Sequence, residues 1–325
     1  MTSVHRATAL SSSLNEARIL DTVQGSLRDT LAAAPWPRVL IETAADVLAE
    51  PTRALGGRLT PWVLFPLSCC AAACGDWRPA LPAATASEIY ITALDLCDDI
   101  EDGDLSAAVD RYGVPLTLNL ATALLALAHE VLKPVDPATP SAACRAAQDA
   151  LWQGLAVATG GQHMDLASAG ADPLPVEECL DIARRKGGAL AEACCRAGAA
   201  FGTDDPALIE RCGAFGRSLG LIGQLDNDMH DADDSVHKSD LARHTQTVPI
   251  AIARALGGPG ELGVAVWQGG IQLAYALIHA ERARAREELD GVVALCPDPA
   301  LARIVLESLL EPRGPVVART LVPYE

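Results

Sequence analysis

Long segments rich in alanine and leucine dominate the chain, and their apolar residues recur with the period of an α-helix. Strict alternation of apolar and polar residues, which is typical of half-buried strands, is scarce, and aromatic residues make up only 4% of the sequence. The pattern therefore predicts an all-α protein of about ten or more helices. We expect these helices over residues 15–50, 61–74, 84–97, 116–132, 141–159, 176–201, 206–228, 248–256, 271–289 and 299–310.

Glycine and proline mark the breaks between the helical segments. Gly56-Gly57, Gly113-Val114-Pro115 and Asp204-Asp205-Pro206 are typical loop sequences. No change in composition marks a linker, and no motif repeats with a period of roughly 20–50 residues. We therefore expect a single domain over residues 1–325, with an ordered core of 15–312 and loosely attached ends.

Charge and cysteine usage exclude several classes of protein. The formal net charge of −17 argues against binding to nucleic acid or to an anionic membrane surface. The longest apolar segment, residues 61–74, is too short to span a bilayer, and the N-terminus lacks the apolar core of a signal peptide. The ten cysteines contain no Cys-x-x-Cys pair, which predicts free thiols in a reducing compartment. We expect a cytoplasmic protein without stable membrane insertion.

Two acidic clusters, residues 98–102 and 227–231, each lie at the end of a predicted helix. Residues spaced i, i+3 and i+4 share one helix face, so the polar side chains of each cluster converge. Carboxylates that face one cavity repel each other, and oxygen ligands without thiolates select Mg²⁺. The predicted metal ligands are Asp98, Asp99, Asp102, Asn227, Asp228 and Asp231.

A single acidic cluster is also what a solvated helix end would show. The second cluster, again at helical spacing and again after an apolar helix, favours metal binding over that alternative. Divalent ions held between two helices suit a diphosphate substrate, because they bridge its oxygens and stabilise the departing group.

Six ordered motifs, spread over nearly the whole chain, resemble those of the trans-isoprenyl diphosphate synthase (polyprenyl synthetase) family. The two acidic clusters are similar to the two aspartate-rich motifs of that family, with Asn227 in place of an aspartate. The remaining similar segments are Arg111-Tyr112-Gly113-Val114-Pro115, Gly161-Gln162-His163-Met164-Asp165-Leu166, Arg185-Lys186-Gly187-Gly188-Ala189-Leu190 and Lys238-Ser239-Asp240-Leu241 with Thr247-Val248-Pro249.

The resemblance implies the isoprenoid synthase fold, a barrel of mostly antiparallel helices around a central cavity, and a homodimer. It also implies three Mg²⁺ ions that bind an allylic prenyl diphosphate between the two motifs. Asp98, Asp99 and Asp102 would hold two ions, and Asn227, Asp228 and Asp231 the third. The residues implied to contact diphosphate are Lys186, Arg111, Lys238 and Arg58, with Gln162 and Gln224 as polar neighbours in the cavity.

The chain departs from this family where condensing members bind their second substrate, isopentenyl diphosphate. The segment Gly56-Gly57-Arg58-Leu59-Thr60-Pro61 keeps one cation, but Thr60 stands where a second is usual. Ile91 replaces a histidine, and Tyr112 replaces an arginine. Because charge-assisted contacts are worth roughly 1.5–3 kcal/mol each, these losses predict weak binding of a second diphosphate.

We therefore expect ionisation of an allylic diphosphate followed by cyclisation, as in class I terpene synthases. The alternatives are a chain-elongating synthase, prenyl transfer to an acceptor other than isopentenyl diphosphate, and a non-catalytic partner subunit. Ala93 lies five residues before Asp98, and its small side chain is expected to leave the substrate pocket open at that depth. Leu94 and Tyr90 are expected to form the floor of the pocket. This suggests a C15–C20 substrate.

Overall fold

The computed structural model describes residues 16–103, 106–133, 141–169, 172–233, 246–258 and 264–311, and all regular secondary structure in these ranges is helical. The all-α prediction is therefore confirmed. The α-helices are α1 (Glu16–Ala33), α2 (Arg38–Leu48), α3 (Glu50–Ala54), α4 (Pro61–Cys74), α5 (Leu81–Glu101), α6 (Ala107–Val131), α7 (Ser141–Ser168), α8 (Val176–Ala183), α9 (Ala189–Ala199), α10 (Pro206–Asp233), α11 (Val248–Gly257), α12 (Val264–Val293) and α13 (Pro299–Glu307). Two 3₁₀ segments, Arg78–Ala80 and Ser308–Leu310, and a π-helical turn, Arg184–Gly188, complete the set.

Proline and capping residues set the boundaries near the N-terminus. The sequence predicts one helix over residues 15–50, but Pro35 and Pro37 lie between α1 and α2, because proline lacks an N–H donor and disfavours helix at the residue before it. Thr60 caps α4 by accepting a hydrogen bond from the Val63 N–H. Gly75 ends α4 in the left-handed conformation, with φ of 82°.

The helix α6 begins at residue 107 rather than at the predicted residue 116. Gly113, with φ of 75° and ψ of 157°, divides this helix at a kink, and Pro115 follows in the second half. The Gly113-Val114-Pro115 loop signal thus marks a kink instead of a helix start.

The core is built around α4, α5 and α9. α4 buries every residue from Val63 to Ala73, and α5 buries every residue from Ala83 to Ala93. α5 packs against α4 and α6, while α9 packs against α4, α7 and α10. Because burial of apolar surface is the main driving force of folding, these contacts fix the position of α5 and α10, the two helices that end in acidic clusters.

One helix among the described residues, α6, is long and apolar enough to cross a membrane, with a mean hydropathy of 1.4. Length and composition alone do not separate such a span from a helix that packs in a soluble protein. Within α6, Leu120, Leu124 and Leu127 are buried, whereas Leu116 and Leu118 are exposed.

The close crossing of α4 and α9 depends on Gly198. A Cβ atom at this position would lie 2.1 Å from the Pro66 carbonyl oxygen. We predict that Gly198→Ala lowers the free energy of unfolding by about 3 kcal/mol, since backbone atoms cannot yield to such a clash. Gly160→Ala in α7 is the control, because a Cβ there has no neighbour within 4 Å and alanine favours helix. Urea unfolding measures both; equal midpoints would contradict the prediction.

Candidate active site

The first acidic cluster lies at the carboxyl end of α5. Asp102 is the C-cap residue, and its backbone N–H donates to the Asp98 carbonyl oxygen at 2.8 Å. Gly103 then leaves the helix with φ of 71°. Carboxylates are unfavourable at this end of a helix, because the helix dipole places partial negative charge there. The cluster therefore requires positive charge from elsewhere.

Lys186 supplies part of that charge. Its Nζ atom lies 2.7 Å from Asp165 Oδ2 and 3.6 Å from Asp98 Oδ1, and the side chain is only 16% exposed. Burial lowers the pKa of Lys186, but Asp165 and Asp98 raise it by more, so the ammonium stays charged. The pKa of Asp98 is nevertheless raised, first by burial and then by Asp165, Asp99 and Glu101. Burial thus outweighs the opposite effect of the Lys186 ammonium on the pKa of Asp98.

Lys186 reaches the cluster from the π-helical turn Arg184–Gly188, which packs between α7 and α10. A Cβ atom on Gly187 would lie 2.6 Å from the Gly220 carbonyl oxygen, and one on Gly161 would lie 2.6 Å from Arg185 Cβ. Glycine at position 187 is therefore explained by the tight packing of this turn on α10.

Gln162 adds a polar group on the other side of the cluster. Its Nε2 atom lies 3.5 Å from Asp102 Oδ1. Its Oε1 atom is buried and has no hydrogen-bond partner within the described part of the chain. Since buried polar atoms are normally paired, this oxygen fits a role as acceptor for a water in the shell of a hydrated cation.

The second cluster lies in the last turns of α10. Gln224 donates from Nε2 to Asp228 Oδ1 at 3.0 Å; Asp228 is buried, and Asn227 is exposed. The backbone of Asp231 continues α10, but its side chain lies outside what the structure describes, as does all of Lys238. Their predicted roles stay predictions.

The donor set suits Mg²⁺. Among the described residues, no group of three His, Cys, Asp or Glu side chains is arranged to hold a metal ion by itself. The oxygen ligands present suit Mg²⁺, which keeps several waters and binds through one or two carboxylates together with substrate phosphates. The residues that would hold it are the six predicted above; the number of ions stays a prediction.

Two cavities lie near the clusters, and Trp62 lines both. The larger, of about 330 Å³, is bordered by apolar side chains of α4 and α10 and by Gln224, Asn227 and Arg282. The smaller, of about 240 Å³, lies between α5 and the start of α4 and contains Glu88 and Asp95. We call the smaller one the acidic cavity.

The acidic cavity holds two carboxyl groups in unusual surroundings. Glu88 is 3% exposed, accepts a short hydrogen bond from the Thr60 hydroxyl, and has its pKa raised to about 7 by burial. The Asp95 side chain is exposed where it opens onto the cavity. The protein atoms packed around its carboxyl group, together with the charges of Asp98, Asp99 and Glu88, raise the pKa of Asp95 to about 7. No basic side chain lines this cavity in the described structure.

Sequence reasoning did not single out Glu88. The available signal was a glutamate within the apolar segment of α5, where a charged residue is rarely buried without a specific partner.

Two of the predicted basic residues lie outside both cavities. Arg58 is exposed, with Nε 3.9 Å from Glu16 Oε1. Arg111 pairs with Asp46, which also accepts a hydrogen bond from Tyr112 Oη at 2.9 Å. The Tyr112 hydrogen bond is the main reason why the pKa of Asp46 is lowered, and Arg111 adds to the effect. Arg111 therefore forms an ion pair with Asp46, a residue that the sequence analysis did not predict as its partner.

The residues predicted to set pocket depth also lie outside the two cavities. Ala93 and Tyr90 are fully buried in the core, and the Tyr90 hydroxyl donates to the Leu151 carbonyl oxygen at 3.1 Å. Leu94 is partly buried against the same core. Their role in pocket depth is therefore still a prediction.

The raised pKa of Glu88 predicts a pH effect on stability. Between pH 4.5 and about 7, the folded state keeps the Glu88 proton that the unfolded state has lost, so the free energy of unfolding falls as pH rises. Relative to Glu88→Gln, we expect wild type to lose on the order of 2–3 kcal/mol between pH 4.5 and 8. Urea unfolding at several pH values measures this; parallel pH profiles for the two proteins would contradict it.

Two helices, α5 and α10, thus end in acidic clusters, and the buried Lys186 lies beside the first of them. The sequence profile described as Polyprenyl synthetase matches residues 47–261. The chain therefore belongs to the polyprenyl synthetase family, and the predicted membership is confirmed.

Individual relatives agree with this assignment. The chain is 29% identical over 207 residues to a (2E,6E)-farnesyl diphosphate synthase of Mycobacterium bovis. The aligned region covers 60% of this chain and 56% of the relative. The match thus spans little more than half of the length of that curated relative. The chain also resembles a polyprenyl synthetase from Streptomyces coelicolor A3(2), with a TM-score of 0.71, 21% identity and coverage of 92% and 98%.

A third similar structure is a polyprenyl synthase from Caulobacter crescentus complexed with calcium and isoprenyl diphosphate. Its TM-score is 0.65, its identity is 21%, and the coverage is 91% of this chain and 97% of that one. At this level of identity the solved structures speak for the fold alone. They confirm the predicted isoprenoid synthase fold.

Proposed function

We propose that the chain is a Mg²⁺-dependent prenyltransferase that ionises an allylic prenyl diphosphate. The observation that carries the proposal is the meeting of Asp98 with Lys186 at the end of α5. Carboxylate oxygens that suit Mg²⁺ lie beside a buried ammonium that suits diphosphate oxygens, so a metal-bound diphosphate fits both.

The chain's own residues have three tasks in this step. Asp98, Asp99 and Asp102 would bind Mg²⁺, and the Lys186 ammonium would donate hydrogen bonds to the diphosphate oxygens. Bound Mg²⁺ supplies positive charge that stabilises the departing diphosphate. Apolar side chains around the larger cavity, among them Trp62 and Phe65, keep water away from the allylic cation.

Chain elongation with isopentenyl diphosphate is the first candidate for the step after ionisation. The named relatives favour it, since the curated match is a farnesyl diphosphate synthase. The cyclisation expected from the sequence finds no support in these relatives. We therefore place elongation ahead of cyclisation. The proposed allylic substrate has a chain of C15–C20.

One observation favours a second candidate, in which the cation reacts without a second diphosphate. The acidic cavity borders the Arg58-Leu59-Thr60-Pro61 segment, where the family resemblance places isopentenyl diphosphate, yet Glu88 and Asp95 face it instead of cations. Cyclisation and transfer to another acceptor both belong to this candidate. A purely non-catalytic partner has no need for the Asp98–Lys186 arrangement, so we do not propose it.

A substrate panel tests both candidates. Purified protein with Mg²⁺ is incubated with farnesyl or geranylgeranyl diphosphate, with and without isopentenyl diphosphate. Longer diphosphates that form only with isopentenyl diphosphate are expected for elongation, and hydrocarbons or alcohols from the allylic substrate alone for the second candidate.

Asp98→Asn should reduce diphosphate release in this panel about 100-fold, whereas Asp149→Asn on the exposed face of α7 is the matched control. If wild type releases no diphosphate under any condition, the proposed ionisation is wrong.

We further propose that the chain forms a homodimer through the exposed apolar face of α6. Val114 and Leu118, four residues apart and so on one face of the helix, are 47% and 49% exposed, although α6 also packs in the core. Leu118→Glu should convert the dimer to a monomer in light scattering, while Ile304→Glu on α13 should not. A monomeric wild type would refute this. The cytoplasmic location stays a prediction.

A further inference from the structure

The acidic cavity has a polar wall and an apolar wall. Trp62, Pro61 and Ile91 form apolar parts, and Glu88 and Asp95 project from α5. Glu88 and Asp95 are seven residues apart and therefore share one face of the helix, about 10 Å from each other along its axis. Asp95 lies one helical turn before Asp99 on the same face, so this cavity begins about 6 Å along the helix axis from the predicted metal ligands.

Glu88 is held in one orientation. The Thr60 hydroxyl donates to Glu88 Oε2, while its oxygen accepts the Val63 N–H that caps α4. Because the Thr60 hydrogen is committed to Oε2, a proton gained by the carboxyl group goes to Oε1. The orientation of Glu88 is thus fixed by the same threonine that replaces a cation of related proteins.

The candidate reactions that end in a carbocation need a proton acceptor. Elongation and cyclisation both finish when a carbon next to the cationic centre loses a proton and a double bond forms. A buried carboxylate without a cationic partner is a good acceptor, since its affinity for a proton is raised. Asp95 on α5 and the Cys194 thiol on α9 are the titratable groups that interact with Glu88 in the described structure.

We propose that Glu88, oriented by Thr60, accepts the proton that the prenyl carbocation loses. In this step a C–H bond next to the cationic carbon breaks, and its electron pair forms the new C=C bond. The proton moves to Glu88 Oε1 and later passes to released diphosphate or water. The inference rests on the proposed ionisation, and it holds for either candidate reaction.

The test separates proton loss from ionisation. Wild type, Glu88→Gln, Glu88→Asp and Thr60→Val are incubated with farnesyl or geranylgeranyl diphosphate and Mg²⁺, with and without isopentenyl diphosphate. Diphosphate release reports ionisation, and the ratio of alkene products to water-captured alcohols reports proton loss. Glu281→Gln, which changes a buried glutamate on α12, is the matched control, and thermal melting monitors folding.

We expect Glu88→Gln to lower the alkene-to-alcohol ratio at least tenfold, with a smaller loss of diphosphate release. Glu88→Asp should restore part of the ratio, and Thr60→Val should lower it less than Glu88→Gln. In wild type the ratio should fall as pH drops below about 7, because a protonated carboxyl group cannot accept a proton. This pH dependence should be absent in Glu88→Gln.

Two results would overturn the inference in different ways. An unchanged product ratio and pH profile in Glu88→Gln, with normal diphosphate release, would leave Glu88 only a structural partner of Thr60. Absence of diphosphate release in wild type would instead remove the proposed ionisation, and the inference with it. If Glu88→Gln does not fold, a pH profile that shifts to higher pH in Thr60→Val supports the inference, because the Thr60 hydrogen bond lowers the pKa of Glu88, and an unshifted profile rejects it.

Discussion

Repulsion among carboxylates at the end of α5 is the constraint on which the candidate site depends. Asp98, Asp99 and Asp102 occupy the helix end where the dipole already places negative charge. Lys186 lies beside Asp98, yet burial keeps the pKa of Asp98 raised. Added cations would stabilise the charged form of this cluster, so the proposed binding of metal and of diphosphate would depend on each other.

The helix α5 connects this constraint to the core. One face, with Ile89, Tyr90 and Ala93, is fully buried against neighbouring helices. The opposite face carries polar residues at helical spacing, Glu88, Thr92, Asp95, Asp99 and Asp102, from the core to the helix end. The rigid packing of the first face determines where the second face lies. Precise positions of the carboxyl groups are thus a product of apolar packing, as is usual for sites on core helices.

The fold and the first acidic cluster were predictable because both rest on local periodicity. Asp98 and Asp102 share a helix face in any helix of this sequence, and proline and glycine mark most helix ends. The partners of Lys186 and Arg111 were harder to predict. Asp165 lies on α7 and Asp46 on α2, and only tertiary packing brings them to these cations.

Glu88 shows a different limit of sequence reasoning. Its position in α5 was visible, but its burial and its hydrogen bond to Thr60 depend on how α4 approaches α5. A local sequence pattern predicts which residues share one face of a helix, but it does not predict which other helix packs against that face. The departures at Thr60, Ile91 and Tyr112 were recognised as lost cations, whereas the position of Glu88 and Asp95 at the same cavity required the structure.

The missing cations and the two carboxyl groups of the acidic cavity both disfavour binding of a second diphosphate. With Glu88 and Asp95 ionised, the acidic cavity repels a diphosphate, and Arg58 outside it is already close to Glu16. Protonation of the two carboxyl groups removes this repulsion but provides no ammonium or guanidinium to replace it. Elongation therefore requires isopentenyl diphosphate to bind with its charged end toward the surface and Arg58. Reaction of the allylic cation within its own chain requires no such arrangement, so the sign of charge in this one cavity is what separates the two candidates.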